Sequence, residues 1–157
     1  MRTFAENVPS VPADDEWFDL EVNNDIDPME VMRILGYDAK RLAIEWKYRG
    51  PKLTGKKTYR VKLVFLGVVY NVGEASRKAN QMGYRLVEGQ ARDSLTAKFP
   101  KPDGKSPIAF GGSAWLDWHG RAYVACLYAF VDGWTPFFFG YSQGVFPGRW
   151  LVTENSG

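Results

Sequence analysis

The sequence predicts a single α+β domain in which an N-terminal hairpin and two helices pack on a β-rich C-terminal half. Three patterns carry this expectation. Residues 41–49 and 59–70 read as half-buried strands from the alternation of polar and apolar side chains at their start. Residues 71–99 show the helical period in two short stretches. After Pro107 that period disappears, and apolar runs are punctuated by Gly111-Gly112, His119-Gly120, Asp132-Gly133 and Pro147-Gly148. At 157 residues the chain has the length of one domain, and 45% hydrophobic with 24% charged residues exclude collagen, coiled coil and wholesale disorder.

The elements follow in order. Residues 1–27 read as an acidic, partly mobile arm, with Pro9 and Pro12 and few large apolar groups near its start; residues 28–157 form the domain proper. Asp27-Pro28 is an N-cap followed by proline at the first helical position, and Met29, Val31, Met32, Ile34 and Leu35 supply apolar contacts before Gly36. Leu42, Ile44, Trp46 and Tyr48 then fall on one strand face. After Gly50-Pro51 and Gly55, Tyr59, Val61, Leu63 and Phe65 fall on one face of a second strand, giving a hairpin with a basic outer surface. Asn71 and Glu74 have capping-box spacing, Ala75, Ala79 and Met82 share a helical face, and Gly83 suits the left-handed stop. A short strand, 84–87, precedes a second helix marked by Ala91, Leu95 and Phe99 and ended by Pro100 and Pro102. Strands are expected at 108–110, 114–118, 121–131, 137–141 and 149–153.

Charge is strongly segregated. Nine acidic residues against Arg2 alone leave residues 1–30 at −8, so the remainder carries +10 of the net +2. Between Lys40 and Lys62, Lys40, Arg41, Lys47, Arg49, Lys52, Lys56, Lys57, Arg60 and Lys62 face only Glu45. Such a segment either contacts phosphates or is compensated by the acidic arm within the chain. No run approaches the ~20 apolar residues of a membrane helix, and Met1 to Ser10 lacks a secretion core. The cytoplasm is therefore the default expectation, with surface or virion display also compatible.

Half of the 24 aromatic residues lie between Trp115 and Trp150, among few charges. In Phe137-Phe138-Phe139, neighbouring side chains must point to opposite faces, so rings reach solvent unless both faces are covered. Tyrosine and tryptophan set among Ser, Gly and Asp is a composition suited to binding surfaces.

The runs Tyr70-Asn71-Val72-Gly73-Glu74-Ala75 and Met82-Gly83-Tyr84-Arg85-Leu86-Val87 resemble the first helix and strand of C-type-lectin-like folds. The second helix, Gly111-Gly112-Ser113-Ala114-Trp115 and Gly148-Arg149-Trp150-Leu151-Val152 resemble the formylglycine-generating-enzyme-like branch of that fold. The resemblance spans about 59–154 and implies a C-type-lectin-like ligand-binding protein of the kind diversified by retroelements, with variable positions in the C-terminal strands and loops. It departs from sugar-binding relatives where Lys101-Pro102-Asp103 and Trp115-Leu116-Asp117 stand in place of their calcium triplets, Lys101 putting a cation where an oxygen ligand belongs. Cys126 alone cannot supply the catalytic cysteine pair of formylglycine-generating enzymes.

Other chemistry is sparse. One cysteine and one histidine, His119, make neither an internal disulfide nor a Cys/His zinc set. Asp19, Glu21, Asn23, Asp25, Asp27 and Glu30 occupy the ligand positions of an EF-hand frame, against a competing reading as a polar strand edge before a helix; Asn24 replaces the usual glycine. Asp117 and Asp132 are a conceivable hydrolytic carboxylate pair, which requires a separation of about 5–9.5 Å. Ser113 with His119 lacks an elbow motif, and Cys126 lies in an apolar run. The leading expectation is a non-enzymatic protein, without cofactor or metal, that binds a protein or glycan. Trp115, Trp118, Tyr123, Tyr128, Trp134, Phe137, Phe139 and Tyr141 are its anchors, and Asp117, His119, Arg121 and Asp132 its polar contacts. The alternative is a nucleic-acid-binding or phage–host interaction module using Lys47, Arg49, Lys52, Lys56, Lys57, Arg60 and Lys62.

Overall fold

The computed structural model describes residues 8–33, 47–117, 119–140 and 145–155. Alternation builds the first strand: in β1 (Phe18–Asn23), Leu20 and Val22 are buried while Asp19 and Glu21 face solvent. Asp27 accepts a hydrogen bond from the Met29 amide at 3.0 Å and opens the short helix α1 (Pro28–Arg33). β2 (Lys47–Arg49) and β3 (Lys56–Val64) follow. Helix α2 (Val72–Gln81) is capped by Asn71, which accepts from the Glu74 amide at 2.8 Å while Glu74 reaches back to the Tyr70 amide. Gly83, at φ +83°, turns the chain into β4 (Tyr84–Leu86). Helix α3 (Ala91–Lys98) precedes the antiparallel meander β5 (Ile108–Leu116), β6 (Ala122–Phe130) and β7 (Gly133–Gly140), and β8 (Arg149–Glu154) ends the sheet.

All eight strands belong to one sheet with the order β1-β3-β8-β5-β6-β7; β2 adds to β5, and β4 to β8. β8 pairs with β3 along one edge. Its other edge is divided between β4, from Leu86 opposite Val152, and a parallel contact with β5 at Ile108 and Ala109. Adjacent β8 residues serve opposite faces. Leu151 packs with Leu20, Val61, Leu63, Phe110 and Leu95 of α3, whereas Trp150 and Val152 pack with Ala75 and Ala79 of α2. A third cluster joins Val31 of α1 to Trp115 and Ala125, with Tyr48 and Phe138 against it. The buried Arg92 of α3 donates to the Val31 carbonyl and lies 5.5 Å from the Phe138 ring centroid; burial lowers its pKa to about 10.

These facts correct the expected fold class. The two helices at 72–81 and 91–98 do lie against strands, but the chain is β-rich: eight strands in one sheet against three helices of at most ten residues among the described residues. Among the described residues no separate N-terminal hairpin backs a C-terminal half. Residues 41–46 of the expected first arm lie outside the described residues, and 47–49 part company with the second arm, Tyr48 pairing with Trp115 on β5 while β3 lies between β1 and β8. The reason is burial: Val61 to Val64 are shielded on both faces, which a two-stranded ribbon cannot provide. Part of the expected acidic arm is β1 itself, and Val11 joins the core. Among the described residues no helix is long and apolar enough to cross a membrane.

A buried ion cluster fastens the entry to β8. The Arg149 side chain is fully enclosed and donates to Asp103 (2.6 and 3.0 Å), Asp14 (3.1 Å) and the Ser106 carbonyl (2.7 Å). Burial alone would lower its pKa; the two carboxylates outweigh that and hold the charge. Replacing Arg149 by leucine strands the enclosed end of Asp103 and should lower stability by about 3 kcal/mol in urea denaturation. Gly112 is equally constrained, because a Cβ there would lie 2.6 Å from the Leu86 carbonyl oxygen and the Val87 carbonyl carbon. Gly112→Ala should cost about 3 kcal/mol and lower Tm by several degrees in calorimetry.

Candidate ligand-binding surface

The β6–β7 hairpin is closed by Val131-Asp132, with Phe130 opposite Gly133. Because side chains alternate, Val124, Cys126, Tyr128 and Phe130 of β6 share one face with Thr135, Phe137 and Phe139 of β7. Where α2 and Phe146 cover that face, Val124 and Cys126 are buried, and Phe139 meets Phe146 edge-on at 5.3 Å. Burial pushes the Cys126 thiol far up, so it is no thiolate at neutral pH. Farther along, the cover stops. Tyr128 lies between Phe137, at 4.0 Å and 18°, and Phe130, at 5.0 Å and 15°, as a row of stacked rings. Tyr128 is 37% exposed, Phe130 49% and Val131 at the turn 69%.

The opposite face of the hairpin is partly covered. Trp134 is half-buried and donates its indole N–H to the Phe99 carbonyl at 2.7 Å, and Phe138 packs edge-on against Trp115. Trp115 itself is fully buried and donates to the Pro28 carbonyl at 3.2 Å, so it is a core residue and not an anchor. Phe139 is likewise engaged with the core. Trp118 and Tyr141 lie outside the described residues.

The expected polar contacts separate into two ends of β6. Asp117 is buried and accepts from the His119 and Arg121 amides (3.0 and 2.9 Å), Arg121 Nε (2.9 Å) and the Tyr123 hydroxyl (3.3 Å). It ties the β5–β6 turn together. Burial opposes its charge, but the Arg121 and His119 hydrogen bonds hold its carboxyl below the usual range. Asp132 is exposed at the other turn. The nine extended residues of β6 lie between them and span about 30 Å, too far for a shared hydrolytic reaction.

The EF-hand frame is also dissolved by geometry. Asp19, Glu21 and Asn23 lie along an extended strand, and Asn23, Asp25 and Asp27 accept from the Asp25, Gly55 and Met29 amides as turn and cap residues. Among the described residues no group of three acidic, histidine or cysteine side chains is placed to hold a metal.

The basic segment is spread over two parts of the sheet. Lys47 and Arg49 are exposed on β2 and Lys52 follows them; Lys56, Lys57, Arg60 and Lys62 belong to β3. The register sets Asp19 opposite Arg60 and Glu21 opposite Thr58, so the acidic segment lies beside the basic strand. Lys62 is buried with its ammonium 4.7 Å from Trp17 and 4.6 Å from Tyr84 ring centroids.

Of the predicted anchors, the structure groups Tyr128 with Phe137 at the surface. Phe130 and Val131 were not among them, although the two-residue spacing of Tyr128 and Phe130 already places both rings on one face. Compared with known proteins, the chain matches no family model, no curated protein and no solved structure. For Asp117, whose folded-state pKa is depressed, the stabilising contribution is present above about pH 4 and lost as pH falls through the folded-state value. Asp117→Asn should therefore be less stable than the natural protein at pH 7, with the gap closing toward pH 3 in urea denaturation series.

Proposed function

We propose that the chain is a non-enzymatic binding protein that docks a protein partner on the stacked rings of the β6–β7 hairpin. The observation that carries this reading is the row Phe130, Tyr128 and Phe137, continued by Val131, on a face whose cover stops short. Contiguous exposed apolar area of this kind marks recognition surfaces, and aromatic side chains dominate the energetics of protein interfaces. Two features support a protein over a glycan, met through side chains. Tyr128, the central ring, is stacked on both sides, so its faces are used internally and are not open to a sugar ring. Pro136, in the middle of the terminal strand β7, has no N–H to donate and obstructs addition of a further strand, so the partner meets side chains and not the strand edge.

Affinity capture from the source cells, followed by direct binding measurement of each captured protein, tests this. Tyr128→Ser with Phe130→Ser should weaken the interaction at least tenfold while leaving the fold intact, and Lys57→Glu with Arg60→Glu should leave it unchanged. The reverse pattern, with affinity falling steeply as salt rises, would transfer binding to the basic strand and overturn the reading.

A further inference from the structure

We infer that the free edge of β1 is a docking site for an extended basic peptide segment, which joins the sheet as an added strand beside α3. β1 comes first in the strand order, and no described element pairs with its outer edge. The Asn24 amide donates to the Gly55 carbonyl at 3.0 Å in continuation of the β1–β3 register, so the even-numbered residues of β1 turn their main-chain groups toward β3. Asp19, Glu21 and Asn23 therefore turn theirs outward. The Lys98 ammonium of α3 confirms this direction, because it donates to the Asp19 carbonyl. Among the described residues the Asp19, Glu21 and Asn23 amides and the Glu21 carbonyl have no partner, while the Asn23 carbonyl accepts from the Ile26 amide at 3.4 Å. An open edge is a template for a further strand, and strand addition is a recurring mode of peptide recognition. Pro136 obstructs the edge of β7 at the far end of the sheet; β1 contains no proline.

The surroundings of this edge specify the strand that fits. A ligand residue set opposite Asp19 or Glu21 shares their face of the sheet, and the ligand residue between them, opposite Leu20, faces α3. On the first face both carboxylates are exposed, and neither makes a hydrogen bond or an ion pair among the described residues. Toward β3, Glu21 stands opposite the uncharged Thr58. Opposite charges on neighbouring strands attract, so lysine or arginine is favoured at the ligand positions beside the two carboxylates. On the second face a groove of about 510 Å³ runs between β1 and α3, with Leu20 on one wall and Ser94 and Ala97 on the other. These small helix side chains leave room for a group the size of valine. Lys98 at Asp19 and Lys56 opposite Asn23 mark the two ends of the edge and leave Glu21 between them. A second copy of this chain fits poorly, because antiparallel pairing of two β1 edges about Glu21 sets like charges side by side.

The edge shares no residue with the ring row, so its failure would leave the docking reading untouched. The test is a heteronuclear NMR titration of the whole chain with the end-blocked heptapeptide TVKVKVT, set against TVEVEVT and against TVKVKVT methylated at both lysine amide nitrogens. Saturable shifts at the Asp19, Glu21 and Asn23 amides with a Kd of about 1 mM or tighter, and slowed hydrogen exchange at the Glu21 amide, are expected. Glu21→Lys should weaken binding about fivefold. Ala97→Trp, at an exposed helix position, should weaken it at least tenfold by filling the groove, and Lys98→Met, which frees the Asp19 carbonyl, should tighten it. Absence of saturable shifts at these amides, equal binding of TVEVEVT or of the methylated peptide, or protection of the same amides through self-association of the chain would overturn the proposal.

Discussion

A strand enclosed on both faces must find a backbone partner on each edge, because water is absent to satisfy its amides and carbonyls. β8 is that strand here. It lies in the middle of the sheet although it is the last element of the chain, with β3 filling one edge and β4 and β5 dividing the other. The alternation of Trp150, Leu151 and Val152 then sends consecutive side chains to the two core clusters and so places α2 and α3 on opposite faces. Arg149 begins the strand inside the protein and is held there by Asp103 and Asp14, which draws the loop before β5 and the segment before β1 onto the same point.

The exposed ring row follows from how far this cover extends. A ten-residue helix such as α2 is about 15 Å long, while a nine-residue strand such as β6 reaches about 30 Å. Cys126 and Val124 fall under the cover; Tyr128 and Phe130 fall beyond it and stack on each other and on Phe137. Self-stacking gives these rings a defined arrangement at little entropic cost, which is the property a docking surface requires. The groove beside β1 arises differently, where small side chains of α3 lie next to an edge strand.

Local features were readable with good fidelity. The Asp27-Pro28 start, the Asn71/Glu74 cap and the stop at Gly83 all depend on residues within a few positions of one another, and the structure has each of them; the turn expected at Asp132-Gly133 falls one residue earlier, at Val131-Asp132. The role of Trp115 was not readable, because its enclosure depends on its hydrogen-bond acceptor Pro28, 87 residues earlier in the chain, and on Phe138, well after it. β1 and α3 carry no shared sequence pattern, and their meeting is a product of the fold alone.

By itself, then, the sequence determined the helices at 72–81 and 91–98 and the approximate place of most later strands, since backbone conformation answers to near neighbours, to capping atoms and to the period of apolar residues; it did not show β1, split β5 in two and began β7 four residues late. Tertiary structure alone decided which strand pairs with which, turning an expected hairpin into two separate strands and part of an acidic arm into the partner of a basic one. It also decided which rings remain in water. Strand pairing and burial join residues far apart in the chain, and the alternation that marks a strand is the same whichever neighbour completes its hydrogen bonds.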